Sequence, residues 1–209
     1  MKNSVKGEHI FLDIYTVTQI SEADYGCEET GHREPTALLK LLSEKGERYI
    51  EAAESVLEKQ GIREGKKLII TPGGSLLRYL RVVAAVIRDE EKIFATARGY
   101  GEYKGWWEFP GGKIEEGESP KQALVREIRE ELTAGIEVED LIATIEYDYP
   151  DFHLSMDCFY AKVISGQLIL REAEDAGWFG REELSSLKWL PADRELIDII
   201  MHGRAAAGV

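Results

Sequence analysis

A chain of 209 residues with 44% hydrophobic and 31% charged residues is long enough for one large domain or two small ones, and its balance excludes disorder throughout. The formal net charge of −13 argues against a protein that grips nucleic-acid backbones, because such proteins need a basic surface to displace counterions. Cys27 and Cys158 lie far apart without CxxC spacing, which excludes a cysteine metal site or disulfide framework and leaves two reduced thiols.

Taken in order, MKNSVKGEH has no apolar core of signal-peptide length, and no run approaches the ~18 apolar residues of a membrane helix, so the expected compartment is the cytoplasm. Residues 8–20 are rich in β-branched and aromatic residues and predict a strand, followed by the polar loop SEADYGCEETGHREP. TALLKLLSEKGERYIEAAES reads as a strand pair turning at Lys45-Gly46-Glu47, although Ala37–Leu42 is equally compatible with helix. SVLEKQG predicts one or two helical turns ending at Gly61, and KLIITP a short buried strand. Thr71-Pro72-Gly73-Gly74-Ser75 is a turn cluster and the expected domain boundary, dividing a small β-rich domain (1–75) from a second domain (76–203) with a tail (204–209). Beyond it, YLRVVAAVIRDEEKIFATARG predicts two strands, LIATIEYDYP and HLSMDCFYAKVI a further pair, QLILREAEDAGWF a strand and loop, and PADRELIDIIMHG a closing amphipathic helix.

The stretch from Gly105 to Glu131, GWWEFPGGKIEEGESPKQALVREIREE, holds most of the chemistry. Ser119 is a cap, Pro120 suits the first helical position and Gln122 completes a capping box, so a helix is predicted from here to about Leu132. At about 100° per residue, Leu124, Val125, Ile128 and Leu132 share one face and Glu127, Glu130 and Glu131 the neighbouring one. Three carboxylates so spaced repel by roughly 0.2–0.5 kcal/mol per pair, unless a hard divalent cation reverses the sign. Read alone, the run is a solvated acidic face eased by Arg126 and Arg129.

The spacing of Gly112, five residues, Glu118, seven residues, then Arg126-Glu127-Ile128-Arg129-Glu130-Glu131 resembles the Nudix box of the pyrophosphohydrolases. One position departs: the family has glycine two residues after the last glutamate, where this chain has Thr133, with Gly135 arriving later. The resemblance, which covers the second domain and says nothing of the first, implies a Nudix α/β/α sandwich with mixed sheet; the small β-rich N-terminal domain before it rests on residue pattern alone. WEFPGGKIE, the YPD turn and WLPAD are similar to MutT-like nucleoside triphosphate pyrophosphohydrolases.

Hydrolysing a phosphoanhydride requires neutralising a polyphosphate and making water nucleophilic, which Mg²⁺ on carboxylates accomplishes, with Mn²⁺ as the alternative ion. The expected ligands are Glu127, Glu130 and Glu131, joined, as the resemblance implies, by the Gly111 carbonyl and Glu172. Glu118 and Arg126 match positions that brace the loop against the helix. The general base is Glu127 or Glu172, with Glu174 as an alternative to the latter; alone, Glu172 is also consistent with a solvated loop residue.

Arg98 and Phe109 align with residues near the substrate in the MutT-like enzymes, and Lys113 joins them as an expected substrate-binding residue. Phe152 and Asp193 differ from the Arg and Asn of the oxidised-guanine readers, while the PAD sequence is similar to that of CTP and modified-dCTP pyrophosphohydrolases. An ionised Asp193 accepts but does not donate, suiting an edge rich in N–H groups; equally, it caps the last helix. Trp106, Trp107, Tyr147 and Tyr149 are available for stacking, though aromatics at strand spacing commonly serve the core.

The expectation is Mg²⁺-dependent hydrolysis of a (deoxy)nucleoside triphosphate, CTP-like, dCTP-like or modified, to monophosphate and pyrophosphate. The alternatives are a non-catalytic nucleotide sensor, or a hydrolase of a nucleoside diphosphate derivative such as ADP-ribose. A nucleotide is the expected partner, with no polymeric nucleic acid and no membrane, and a homodimer is the assembly considered.

Overall fold

The computed structural model describes residues 13–22, 34–171 and 173–202. The chain divides into two units: one runs through Tyr79 and includes Tyr149–His153, and the other comprises Leu80–Asp148 and the chain from Leu154 onward. Cys27, His9, His32, Glu172 and the tail lie outside the described residues, and among the rest no helix is long and apolar enough to cross a membrane.

In the first unit, β1 (Ile14–Glu22), β2 (Thr36–Ser43) and β3 (Gly46–Ala53) form an antiparallel meander, and β4 (Lys67–Ile70) pairs with the other side of β1. Alternation decides the faces. Tyr15, Val17, Ala37, Leu39, Leu41 and Leu68 point into one cluster, which Leu57 of α1 (Glu54–Gln60) joins; Leu38, Leu42 and Tyr49, of opposite parity, are exposed. Helix α1 ends where Gly61 turns left-handed (φ 59°) and its N–H reaches the Glu58 carbonyl. Ala37–Leu42 is therefore strand, since its two-residue period buries every second side chain. Thr71–Ser75 closes a hairpin between β4 and β5 (Leu76–Asp89), and the division between units falls within β5, after Tyr79.

In the second unit, β5 turns through Glu90 into β6 (Lys92–Ala97), which pairs with β7 (Trp107–Glu108) and β11 (Asp175–Gly180). The long strands β9 (Gly135–Asp148) and β10 (Phe152–Ser165) pair with each other, and β10 also pairs with β5. Helix α2 (Pro120–Leu132) lays Ala123, Leu124, Ile128 and Leu132 on Val83, Ala85, Ile87, Phe159 and Ala161. Each fully buried aliphatic side chain in that layer contributes roughly 1.5–3 kcal/mol of transfer free energy. On β9, Ile136 faces this layer while Ala143 and Ile145, of opposite parity, are buried too; helix α4 (Pro191–His202) contacts β9 and buries Leu196 and Ile197. The result is a mixed sheet with helices, as expected.

Two local expectations change. The strand sought in QLILREAEDAGWF occupies only its end, as β11, and 167–171 is irregular. Leu168 and Leu170 still pack on the α2 core, but the N–H groups of Ile169 and Arg171 go to the carbonyls of Leu132 and Glu131, so this segment satisfies the end of α2 instead of extending the sheet. A short helix α3 (Arg181–Leu184), absent from the pattern reading, precedes α4.

Helix α2 starts as read: Ser119 Oγ accepts from the Gln122 N–H and the Gln122 side chain accepts from the Ser119 N–H. It stops at Thr133, which takes the left-handed conformation itself (φ 56°) and donates its N–H to the Arg129 carbonyl. The displaced glycine thus leaves the turn in place and moves its strain onto a β-branched residue, a conformation costing roughly 1–2 kcal/mol. Thr133→Gly is expected to raise the urea unfolding free energy by about 0.5–1 kcal/mol, offset in part by the entropy glycine adds to the unfolded chain; an unchanged or lower value in equilibrium unfolding would show that the side chain offsets its own strain.

Candidate functional site

The loop before α2 is fastened to β5 residue by residue. The Pro110 carbonyl accepts from the Ala85 N–H, β8 (Gly111–Lys113) pairs with Val82–Ala84, and the Ile114 N–H donates to the Arg81 carbonyl. Two glycines make this approach feasible. A Cβ on Gly111 would stand 2.1 Å from the Val83 carbonyl oxygen, and one on Gly112 would stand 2.4–2.6 Å from the carboxylate atoms of Glu127. The Glu127 carboxylate therefore sits in the space that Gly112 leaves open.

Arg126 gathers the acidic groups. Its Nε and Nη2 donate to the two oxygens of Glu118 (2.8 and 2.9 Å), Nη2 also to the Lys113 carbonyl (3.0 Å), and Nη1 to Glu127 (2.9 Å) and, at 3.4 Å, to Glu130. One guanidinium thus joins β8, the loop and α2. Hydrogen bonding from Arg126 holds the Glu118 carboxyl down at about 2, and the same carboxylates raise Arg126 above its usual value. Glu118 also accepts from the Glu115 N–H, which closes the loop on itself.

Glu131, next on the helix, lines a cleft with Thr96, Tyr100, Glu108 and Ala173. Among the described residues no three His, Cys, Asp or Glu side chains are grouped so as to hold a metal ion. The donor chemistry nonetheless fits a hard divalent cation: the oxygens available on α2 are carboxylates, and the guanidinium already shows that Glu127 and Glu130 can share one positive partner. The Arg171 N–H donates to the Glu131 carbonyl, and Ala173 lines the same cleft as Glu131. Glu174 is ion-paired with Lys104 at 3.6 Å.

On the other side of the Pro110 turn, Lys188–Leu190 run beside β7, exchanging hydrogen bonds with Trp107. This brings α4 up to Phe109, whose ring is buried and stacked on Trp189 (centroids 4.8 Å apart). Asp193, in the first turn of α4, accepts the Phe109 N–H at 2.9 Å and is 4% exposed. Burial pushes its carboxyl up to about 7, with nearby Glu108 adding to the shift. Arg98 donates to Glu108 at 2.8 Å. Lys113 is exposed, its carbonyl taken by Arg126. Trp107 meets Phe179 edge-on and Trp106 packs against Tyr103 and Lys188. In the first unit, Tyr149 stacks on Phe152.

Residues 78–198 match the NUDIX domain model. The chain belongs to the NUDIX family. It is 34% identical over 131 residues, 62% of its length and 97% of the relative's, to the CTP pyrophosphohydrolase of Escherichia coli (strain K12). It is 32% identical over 123 residues, 58% of its length and 95% of the relative's, to the 8-oxo-dGTP diphosphatase of the same organism. The solution structure of the E. coli ORF135 protein covers 64% of this chain and 96% of its own, at 33% identity and a TM-score of 0.55. Family membership makes this protein a hydrolase of nucleotide phosphoanhydrides. Sequence reading of the Nudix part passed over Glu108; the available signal was an acid between two aromatics, half-buried Trp107 and buried Phe109, where a carboxylate drawn out of water needs a cationic partner.

Asp193 carries a pH prediction. The folded protein holds this proton more tightly than the unfolded chain, so its contribution to stability is fully present below about pH 3.8 and is lost as pH rises toward about 7. Asp193→Asn removes that dependence. Urea unfolding of both proteins at pH 5 and pH 7 is expected to show the variant gaining on the wild type, by up to about 1.4 kcal/mol per pH unit. A difference independent of pH would mean that Asp193 is ionised throughout.

Proposed function

We propose that this Nudix protein is a Mg²⁺-dependent pyrophosphohydrolase that converts a nucleoside triphosphate, of the CTP, dCTP or modified-nucleotide class, to the monophosphate and pyrophosphate. The observation that carries the reading is the gathering of Glu118, Glu127 and Glu130 around one arginine, beside a cleft to which Glu131 contributes. The named activity of the E. coli CTP pyrophosphohydrolase supports the substrate class.

In this reading Glu127, Glu130 and Glu131 hold the ion, with the Gly111 carbonyl and Glu172. Bound there, Mg²⁺ neutralises the polyphosphate and acidifies a water. Arg126 keeps Glu127 and the loop in place, with Glu118 bracing it, and Arg98 and Lys113 meet phosphate charge. One water is consumed: its oxygen forms a new P–O bond, the anhydride P–O bond between monophosphate and pyrophosphate breaks, and a carboxylate of Glu127 or Glu172 takes the water's proton. Glu174, ion-paired with Lys104, is the alternative to Glu172.

Phe109 and Asp193 belong to base recognition. A protonated carboxyl matches cytosine, donating to N3 and accepting from the 4-amino group, whereas a carboxylate matches the two N–H donors of guanine's edge. With Asp193 raised to about 7, both forms exist near neutral pH.

Purified protein assayed with Mg²⁺ or Mn²⁺ against a nucleotide panel, with product identification, tests the reading; monophosphate plus pyrophosphate is expected. Glu130→Gln and Glu131→Gln are expected to lower kcat by roughly 10²–10³-fold while circular dichroism shows a retained fold. Near-normal turnover would remove them as ligands. Separately, Asp193→Asn should change the order in which bases are preferred, since an amide both donates and accepts; an unchanged ranking would reduce Asp193 to a tie between α4 and Phe109.

A further inference from the structure

We propose that Glu108 is a positioning residue: from the wall of the cleft it shares with Thr96 and Glu131, it holds the Arg98 guanidinium in place to receive substrate phosphate. The proposal deepens, and rests on, the pyrophosphohydrolase reading.

Glu108 stands opposite Thr96 in the β6–β7 ladder, which fixes its backbone at the cleft wall. Its carboxylate, 26% exposed, takes Nη1 of Arg98 at 2.8 Å, while the Arg98 N–H and carbonyl are both held by the turn, through the Trp106 carbonyl and the Gly105 N–H. On its far side the guanidinium carbon lies 5.4 Å from the Tyr100 ring centroid. The arginine is thus held at backbone, head and face, with Nη1 alone committed to Glu108. Among the described residues Nη2 and Nε have no hydrogen-bond partner, which leaves them as donors for a planar, two-pronged contact of the kind phosphate oxygens accept. Glu131, on the acidic face of α2, lines the same cleft as Glu108.

A purely structural ion pair explains this poorly. Burying a carboxylate to pair it with a partly exposed arginine brings little net stability, and apolar replacements of such pairs are often neutral or better. Burial raises the Glu108 carboxyl despite the pull of Arg98, which marks the pair as costly to maintain. A preorganised donor aimed at a site of phosphate charge accounts for that cost. Removing Glu108 also adds net positive charge beside the substrate, but that gain is screened at a cleft open to water, and the loss of orientation outweighs it.

The test uses the full chain and steady-state kinetics with Mg²⁺ on a cytosine and a purine triphosphate. Glu108→Gln is expected to raise KM by roughly tenfold for both nucleotides with kcat little changed, because the contact is to phosphate and not to base. In the Arg98→Ala background the same substitution should have no further effect on KM. Glu108→Asp, which keeps the charge, should restore at least part of the loss and serves as the readout if the glutamine variant misfolds. An unchanged or lowered KM, a change confined to one base, or full additivity with Arg98→Ala overturns the proposal while leaving the pyrophosphohydrolase reading intact. Absence of triphosphate turnover by the wild-type protein overturns both.

Discussion

One guanidinium sets the terms for the catalytic half of this Nudix protein. Arg126 donates to Glu118, Glu127, Glu130 and the Lys113 carbonyl, so the strand, the loop and the helix that follow one another in the chain are joined at a single point. Without it, the acidic face of α2 would repel itself and the loop carboxylate would have no reason to fold back. The loop is also pinned at its two ends, one by the β8–β5 ladder and the other by the capping box at Ser119.

The same loop depends on what is missing from it. At Gly111 the obstacle to a side chain is the backbone of Val83, which cannot yield without opening the β5–β8 ladder; at Gly112 it is the carboxylate of Glu127. The first glycine is therefore a requirement of the fold and the second a requirement of the site, although they are neighbours in sequence. Behind them, the Asp193 bond to the Phe109 N–H ties α4 to the same turn, so both helices report to one short segment of chain.

Much of this was legible because it is local. The start of α2 is written in Ser119-Pro120-Gln122, its apolar and acidic faces in the 3.6-residue period, and the Nudix resemblance in a motif of fixed spacing. The alternation in β2 settled strand against helix for Ala37–Leu42 only once both faces could be seen, since the alternative is decided by what covers Leu39 and Leu41. Leu168-Ile169-Leu170 misled for the converse reason: its leucines are buried, but its amides cap the end of α2, a non-local use of backbone that periodicity does not encode. Likewise the grouping of Tyr149–His153 with the first unit, where His153 stacks on Tyr79, follows from contacts between segments some seventy residues apart in sequence. Glu108 escaped notice because its one signal, an acid between two aromatics, has no periodicity to reinforce it.

Both arginines face more than one carboxylate, which bears on how an acidic protein takes a polyanion. Arg126 serves three carboxylates, and Arg98 serves Glu108 directly and acts on Asp193 through space. In both places the chain supplies fewer positive than negative groups, and the net charge of −13 offers no distant surplus to make up the difference. A triphosphate entering such a cleft meets repulsion unless positive charge arrives with it, and the Coulomb cost grows as water is excluded. Asp193, its carboxyl raised to about 7 by burial, carries less negative charge than an ordinary carboxylate, and Arg98 is paired with Glu108, which lines the cleft. The remainder has to come from outside the chain, which supports a nucleotide bound together with divalent cations as the form of substrate this arrangement accepts.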